Sequence, residues 1–290
     1  MSAIEQELTS QPALWRRAAQ LPALAALPRP GGRIAVLGCG TSLYIAQAYA
    51  RSREAAGHGE TDAFPASEFP SGRRYEGVLA ISRSGTTTEV LQAVTALDGH
   101  APTTLLTAVA DSPLARAATH TVALPFADEH SVVQTRFATT ALVVLLAALG
   151  IDTAPAAAAA ERVLAGPLPL DPVAFERFHF LGSGWTVGLA AEGALKLREA
   201  ARAWTESYPA MEYRHGPIAT ADARTLVVPF GPLDPALAAD IRATGARVLD
   251  PDAEPLATLV LCHRLALALA VARGFDPDTP RNLTRSVVLT

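Results

Sequence analysis

The sequence predicts an α/β protein made of two related units, each a parallel sheet flanked by helices on both faces. Strand-like apolar runs alternate with helix-like runs along the chain, and half of the 290 residues are hydrophobic. Residues 34–50 (IAVLGCGTSLYIAQAYA) also share a pattern with residues 178–194 (FHFLGSGWTVGLAAEGA). In both stretches an apolar run leads into Gly-x-Gly and a helix-like stretch of small and apolar residues. This order suits anion binding, because the first N–H groups of a helix are free.

The first half of the chain alternates strands and helices. A first helix is predicted over residues 4–27, before the breaker Pro28-Arg29-Pro30-Gly31-Gly32. Strands are predicted at residues 33–37, 75–81, 103–109 and 120–124, and helices at 41–56, from 89 onward and at 135–149. Strands separated by helices in this way form a parallel sheet.

The second half repeats this order after an alanine- and proline-rich join at residues 150–173, which is predicted to be part short helix and part linker. The predicted domains are therefore residues 1–155 and 156–290. Strands are predicted at residues 178–181, 225–229 and 247–249, helices at 187–203, 235–244 and 255–273, and a tail at 276–290.

Composition excludes several classes of function. The net charge of −4 disfavours a nucleic-acid partner. Two cysteines, Cys39 and Cys262, are too few for a disulfide framework and favour the cytoplasm. The N-terminus shows no signal peptide, and the apolar run 141–151 is too short to cross a membrane. No set of His, Cys and carboxylate residues has metal-ligand spacing, so neither a metal nor a cofactor is expected.

The segment Ser82-Arg83-Ser84-Gly85-Thr86-Thr87-Thr88 is the strongest local signal. It follows a predicted strand, precedes a helix and carries five hydroxyl groups. Hydroxyls and helix-start N–H groups together can hold a phosphate, and Arg83 can add charge. The alternative is a hydroxyl-rich N-cap that only starts the helix.

The turn Gly38-Cys39-Gly40-Thr41-Ser42 matches neither a Walker loop nor a dinucleotide fingerprint. Its glycines predict a tight strand-to-helix turn. Thr41 and Ser42 then lie at the helix start and can meet the same ligand, while Cys39 is a small packed residue.

Two further motifs carry ionisable groups. Glu192, Lys196 and Glu199 share one helix face, and Lys196 is the single lysine among 24 basic residues. The alternative is a solvent-facing row of salt bridges. His215 stands in a His-Gly-Pro turn that suits proton transfer near neutral pH. The other six histidines are interpreted as surface or core residues.

Together these residues resemble the SIS (sugar isomerase) family, in particular the isomerase half of glutamine–fructose-6-phosphate aminotransferase and stand-alone phosphosugar isomerases and deaminases. The resemblance rests on motifs found in the family's order: Cys39-Gly40-Thr41-Ser42, Ser82-x-Ser84-Gly85-x-Thr87, Glu192-Gly193-Ala194-Leu195-Lys196-Leu197-x-Glu199, His215-Gly216-Pro217 and Pro280-Arg281-Asn282-Leu283.

The resemblance implies a role for each motif. Ser82, Ser84 and Thr87 hold the sugar phosphate with help from Arg83, Thr41 and Ser42 meet the sugar, and Cys39 of the same motif belongs to the substrate-binding set. Glu199 is the base that moves a proton between C1 and C2, and Lys196 lies beside it. His215 assists ring opening and is shared across a homodimer interface.

The chain also departs from the family. Arg285 stands where the synthase carries a Schiff-base lysine, and a guanidinium cannot form an imine, so pairing with a substrate oxygen is expected. Gln134 replaces a serine near the sugar. Residues 227–232 offer no second hydroxyl loop, so one phosphate site per chain is expected. The sequence begins at the isomerase half, so no glutaminase domain is expected.

These features predict a cytoplasmic enzyme that isomerises or deaminates a hexose or aminohexose 6-phosphate, with slight preference for the amino-sugar branch. A non-catalytic sugar-phosphate sensor is the rival from another class. A lactyl-ether-cleaving SIS enzyme is disfavoured by the synthase-like tail.

Overall fold

The computed structural model describes residues 2–21, 26–70, 72–97, 99–250 and 252–289. Its helices are α1 (Ala3–Ala18), α2 (Thr41–Ala55), α3 (Thr88–Ala96), α4 (Pro113–Ala117), α5 (Arg136–Ala148), α6 (Ala154–Ala165), α7 (Thr186–Ala201), α8 (Pro235–Ala243) and α9 (Pro255–Ala272). Its strands are β1 (Ile34–Gly38), β2 (Thr61–Pro65), β3 (Gly77–Ile81), β4 (Thr103–Thr107), β5 (His120–Ala123), β6 (Arg177–Gly182), β7 (Trp204–Pro209), β8 (Thr225–Phe230) and β9 (Arg247–Val248).

The strands form two parallel sheets, which confirms the predicted fold class. The first sheet has the order β2-β1-β3-β4-β5 and the second has the order β7-β6-β8-β9. All pairings in both sheets are parallel. In each sheet the strand that comes first in the sequence (β1 or β6) lies between the next two strands of the chain. The connections to its two neighbours therefore diverge near its carboxyl end. That edge of an open α/β sheet is where ligands bind.

The sequence repeat corresponds to a repeated geometry. At Gly38, which ends β1, an added Cβ would lie 2.5 Å from the backbone of Ser42. At Gly182, which ends β6, it would lie 2.4 Å from the backbone of Thr186. In both units only glycine lets the following helix approach the strand this closely.

A shared core joins the first lobe (the β1–β5 sheet and its helices) to the second lobe (the β6–β9 sheet and its helices). One buried cluster combines Val36 and Leu79 of the first sheet with Phe178 and Phe180 of the second, together with residues of α2, α5, α7 and α9. Smaller clusters cover the outer face of each sheet. The α2 and α7 helices therefore meet between the sheets, close to the carboxyl ends of β1 and β6.

Among the described residues, α9 is the helix that is long and apolar enough to cross a membrane by length and composition, with a mean hydropathy of 1.8. In the fold, 61% of this helix is buried inside the protein. Core helices of globular proteins have the same character, and α9 packs in the shared core.

The elements differ from the prediction mainly at the sheet edges. The edge strands β2 and β7 were not predicted, because their partly exposed faces lack a continuous apolar run. β7 occupies part of the segment interpreted as a polar turn. The first helix ends at Ala18 rather than residue 27, and residues 22–25 of that prediction lie outside the described residues. The predicted join contains α6.

Candidate active site

A pocket opens where β1 and β3 end. Eight of the nine predicted substrate-binding residues line it; the lining is Cys39, Ser42, Ile81, Ser82, Arg83, Ser84, Thr87, Val90, Gln134 and Arg285. The structure therefore brings the glycine turn, the hydroxyl-rich loop and the tail to one place.

The loop after β3 is folded around its own hydroxyl groups. The amide of Gly85 donates to Ser82 Oγ at 3.2 Å, and the amide of Thr86 donates to Ser84 Oγ at 3.2 Å. Gly85 has φ +65°, and a Cβ there would lie 2.1 Å from Ser112 Oγ. The loop therefore requires glycine at this position.

The side chain of Thr87 distinguishes between the two interpretations of this loop, a phosphate site and an N-cap that only starts the helix. Thr87 occupies the N-cap position of α3, but its side chain makes no capping hydrogen bond. Its Oγ1 lies 3.4 Å from Ser82 Oγ and faces the pocket. The hydroxyl is thus available to a ligand, whereas a purely capping threonine would bond the first turn of the helix.

The two arginines that line the pocket are held by protein groups. Arg83 is 2% exposed, and its guanidinium donates to the carbonyls of Ser131, Val132 and Arg285. Burial lowers the pKa of Arg83, while the nearby Glu129 opposes that shift. This arginine anchors two neighbouring segments to the loop.

Arg285 is engaged in the same way. Its Nη2 lies 2.5 Å from Asp128 Oδ1, and Nη1 donates to the carbonyl of Glu129. The expected pairing of Arg285 with a substrate oxygen would compete with these partners. As arranged here, the guanidinium ties the tail to residues 128–129.

The ionisable face of α7 forms a buried cluster beside the pocket. Lys196 Nζ lies 2.6 Å from Glu199 Oε2, 3.3 Å from Glu192 Oε1 and 2.9 Å from Thr41 Oγ1. Lys196 is 1% exposed and Glu192 is fully buried, whereas 19% of the Glu199 side chain is exposed. A solvent-facing row of salt bridges would not be buried, so the alternative interpretation of this face is wrong.

Burial and charge set the ionisation of this cluster. Burial raises the pKa of Glu192 to about 7, against the attraction of Lys196. Burial pulls the pKa of Lys196 down, but the Glu192 and Glu199 carboxylates outweigh it and leave that pKa raised. Lys196 therefore stays an ammonium at neutral pH, and it faces Glu199, whose carboxylate is the one reached by solvent.

The start of α2 connects the ionisable cluster on α7 to the residues that line the pocket. Thr41 accepts the hydrogen bond from Lys196, while the adjacent Ser42 lines the hydroxyl pocket. Of the predicted substrate-binding set, Thr41 is the member that does not line the pocket. The start of α2 thus lies between the hydroxyl loop of its own lobe and the acid-bearing helix of the other lobe.

Gln134 and His215 have different environments. Gln134 lines the pocket, and its Oε1 is buried without a hydrogen-bond partner in the described chain. His215 is exposed in the turn after β7 and forms no hydrogen bond or ion pair with Glu199 within the described residues. A single chain therefore does not bring this histidine to the acid cluster.

The other histidines include two buried ones, His179 and His263. His179 Nδ1 lies 2.7 Å from the hydroxyl of Tyr213, which anchors the turn that carries His215. His263 Nδ1 lies 3.3 Å from Gln11 Nε2. Both are core residues, as the sequence suggested. Within the described ranges no cluster of His, Cys, Asp and Glu is able to hold a metal ion.

Ser286 is a candidate site residue that the sequence did not predict. In the structure its hydroxyl lies beside the loop, 3.0 Å from Ser84 Oγ. The motif at residues 280–283 pointed to the tail, but a lone serine three residues later carries no pattern of its own.

Comparison with known proteins finds one matching family and several relatives of this chain. Residues 29–149 match the family described as SIS domain. The chain is 30% identical to glutamine–fructose-6-phosphate aminotransferase (isomerizing) of Methanothermobacter thermautotrophicus, over 89% of this chain and 52% of the relative. The same enzyme of Sulfolobus acidocaldarius is 30% identical over 90% of this chain and 51% of the relative. The chain spans about half the length of these curated relatives.

Solved structures share the complete fold. The glucosamine-6-phosphate deaminase of Thermotoga maritima superposes with a TM-score of 0.84 and 26% identity, covering 99% of this chain and 100% of that one. The tagatose-6-phosphate ketose/aldose isomerase of Escherichia coli has a TM-score of 0.81 and 21% identity, covering 96% and 95% of the two chains. The second likeness concerns the fold alone.

Proposed function

The chain belongs to the SIS domain family, and on that premise we propose that it converts a hexose or aminohexose 6-phosphate by moving a proton between C1 and C2. The observation that carries the proposal is the Lys196–Thr41 hydrogen bond of 2.9 Å, which joins the acid cluster to the start of α2, next to the pocket-lining Ser42. A phosphate in the pocket would leave the other end of a sugar free to reach the cluster.

The phosphate end is assigned to Ser82, Ser84 and Thr87. Their hydroxyls rotate freely enough to donate to an anion, and the start of α3 favours negative charge. Fixing the phosphate positions the reactive carbons and removes much of the entropic cost of the reaction. Arg83 contributes by holding the pocket wall, and Cys39, Ser42 and Gln134 complete the lining.

The reactive end is assigned to Glu199. Its carboxylate takes the proton from one carbon and returns it to the neighbouring carbon, with an enediol between the two steps. The Lys196 ammonium stabilises the negative charge that develops on the sugar oxygen. For a 2-amino sugar, the same transfer from C2 to C1 gives an imine at C2, which water hydrolyses to a ketose and ammonia.

Further parts of the proposal follow from the resemblance. His215 assists ring opening, and its exposed position after β7 suits delivery across a homodimer interface. The preferred branch is glucosamine 6-phosphate deamination, supported by the 26% identity to the Thermotoga enzyme along its whole length. The enzyme is proposed to work in the cytoplasm, where the free Cys39 and Cys262 remain reduced.

The test is a product assay. The purified protein is incubated with glucosamine 6-phosphate, glucose 6-phosphate, fructose 6-phosphate and tagatose 6-phosphate, and ammonia and the ketose or aldose product are measured. Ammonia and fructose 6-phosphate from the first substrate are expected. Isomer formation from a neutral sugar alone moves the assignment to an isomerase. If no substrate is converted but sugar phosphates raise the melting temperature, a sensor replaces the enzyme.

A further inference from the structure

The tail of the chain is fixed against the hydroxyl loop on both sides of Ser286. The carbonyl of Arg285 accepts from Arg83 Nη2 at 2.7 Å. The carbonyl of Val287 accepts from the amide of Thr88, the first residue of α3, at 3.1 Å. Because the carbonyls before and after Ser286 are both held, the backbone presents this serine to the loop in one orientation.

The side chain of Ser286 completes a triangle of hydroxyl groups. Its Oγ lies 3.0 Å from Ser84 Oγ and 2.9 Å from Thr86 Oγ1, and those two atoms are 2.9 Å apart. The amide of Thr86 also donates to Ser84 Oγ at 3.2 Å. Three hydroxyl protons are thus shared within one small ring of oxygens.

Such a ring suits an anion better than a neutral ligand. A phosphate offers acceptor oxygens and, as a dianion, no donor, so each hydroxyl that meets it must donate. The triangle holds three protons that can turn outward without moving any heavy atom. Hydrogen bonds to a charged group are also stronger than those between neutral groups.

We propose that Ser286 belongs to the phosphate site and supplies a hydroxyl from the tail in addition to those of the loop. This inference rests on the proposed function of the pocket, and it adds a binding residue that lies about 200 positions away in sequence. It also explains the position of Arg83, because the buried guanidinium donates to the carbonyl of Arg285, next to Ser286, and not to the ligand.

The opposite arrangement, a tail that blocks the loop, fits the contacts less well. The tail uses the Thr88 amide and the outer hydroxyls of Ser84 and Thr86. Among the described residues the tail forms no hydrogen bond with Ser82 or Thr87, and these two face the open pocket. Ser286 therefore lies beside the pocket, in contact with its lining residue Ser84.

The test compares ligand binding by calorimetry in the wild type, Ser286→Ala and Ser286→Thr. The ligands are glucitol 6-phosphate, an open-chain sugar alcohol phosphate that has no carbonyl group and therefore cannot be converted, and unphosphorylated glucitol. Removing the hydroxyl is expected to weaken binding of the phosphorylated sugar about 10-fold, and Ser286→Thr is expected to restore most of it. Thr279→Ala serves as the matched control, since this tail hydroxyl bonds only to Asp276 and is exposed.

The outcomes separate this inference from the proposed function. If the wild type binds the phosphorylated sugar and Ser286→Ala binds it equally well or more tightly, Ser286 is not a ligand of the phosphate. If the wild type does not distinguish phosphorylated from unphosphorylated sugar, the pocket is not a phosphate site and both proposals fail. Thermal unfolding of each variant checks that the tail substitution leaves the fold intact.

Discussion

The ammonium of Lys196 lies 2.6 Å from Glu199 Oε2 on the same helix face and 2.9 Å from Thr41 Oγ1 on the other lobe. One side chain therefore holds the candidate base and also joins the two lobes. A buried cation is costly unless it is paired, and here Glu192 and Glu199 both compensate it. The arrangement holds the Glu199 carboxyl group in one position, with 19% of its side chain exposed to solvent.

Glu199→Gln is predicted to abolish turnover while leaving sugar-phosphate binding near normal. Glutamine keeps the size of the side chain but cannot accept the carbon-bound proton, and loss of a general base costs roughly 10²- to 10⁴-fold in rate. Steady-state kinetics and calorimetric binding on the same preparation measure both properties.

Glu60→Gln is the matched control, because Glu60 is an exposed carboxylate far from α7 in the chain and forms an ion pair with Arg33 at the surface. It is expected to retain full activity. Normal turnover by Glu199→Gln would remove Glu199 as the base and leave the pocket as a binding site only.

Much of the fold could be predicted because the same pattern of strand, glycine turn and helix occurs twice in the sequence. The strands β1 and β6 are buried along nearly their whole length, so they appear as apolar runs, and each ends in a glycine that the next helix requires. A pattern that occurs twice can be recognised even where single residues depart from it. The edge strands β2 and β7 lack that signal because most of their residues are partly buried or exposed.

The candidate site was predictable where its residues cluster in sequence. The hydroxyl loop and the α7 face each carry several functional groups within one or two helical turns, so spacing alone exposes them. Contacts between segments that are far apart in the sequence produce no local spacing pattern from which they could be predicted. The pairing of Arg285 with Asp128 and the contact of Ser286 with Ser84 depend on where the tail crosses the first lobe, which no local pattern encodes.

Glu192→Gln is predicted to change how stability depends on pH. The folded protein holds the Glu192 proton up to a pKa of about 7, whereas the unfolded chain releases it near 4.5. The wild type therefore loses stability as pH rises from 4.5 to 7, by on the order of 3 kcal/mol. Glutamine cannot ionise, so the free energy of unfolding of the variant increases relative to that of the wild type across this pH interval. Urea unfolding at pH 5, 6, 7 and 8 measures the difference, and parallel curves for the two proteins would contradict the prediction.

His263→Leu is predicted to make the protein more resistant to acid. Burial, assisted by the positive charge of Lys196, lowers the pKa of His263 to about 3, while the unfolded chain protonates near 6.5. The wild type therefore loses about 1.4 kcal/mol for each pH unit below 6.5 until the folded pKa is reached. Leucine removes that loss, and it also removes an Nε2 atom that has no partner among the described residues.

At pH 7.5 the two proteins are expected to be similarly stable, because Gln11 retains its hydrogen bond to the carbonyl of Leu8 at 3.1 Å. Unfolding at pH 7.5 and pH 5 provides the comparison. An equal fall in stability for wild type and His263→Leu between these values would show that other groups set the acid response.

Gly188→Ala is predicted to destabilise the protein and to reduce activity together. Alanine favours a helix over glycine by about 1 kcal/mol, but at this position its Cβ would lie 2.5 Å from the carbonyl oxygen of Tyr44 and 2.7 Å from the amide nitrogen of Ala48. Both contacts are backbone atoms of α2, so only a shift of α7 against α2 relieves them. Overpacking of this kind costs roughly 1–3 kcal/mol.

The same shift would separate Lys196 from Thr41, because that hydrogen bond joins the same two helices. Gly77→Ala is the control, since a Cβ there would meet its neighbours at 3.7 and 3.8 Å, in ordinary contact. Urea unfolding and kcat are measured for both variants. A Gly188→Ala protein with wild-type kcat and lowered stability would mean that the close contact of α2 and α7 supports the fold but not the geometry of the acid cluster.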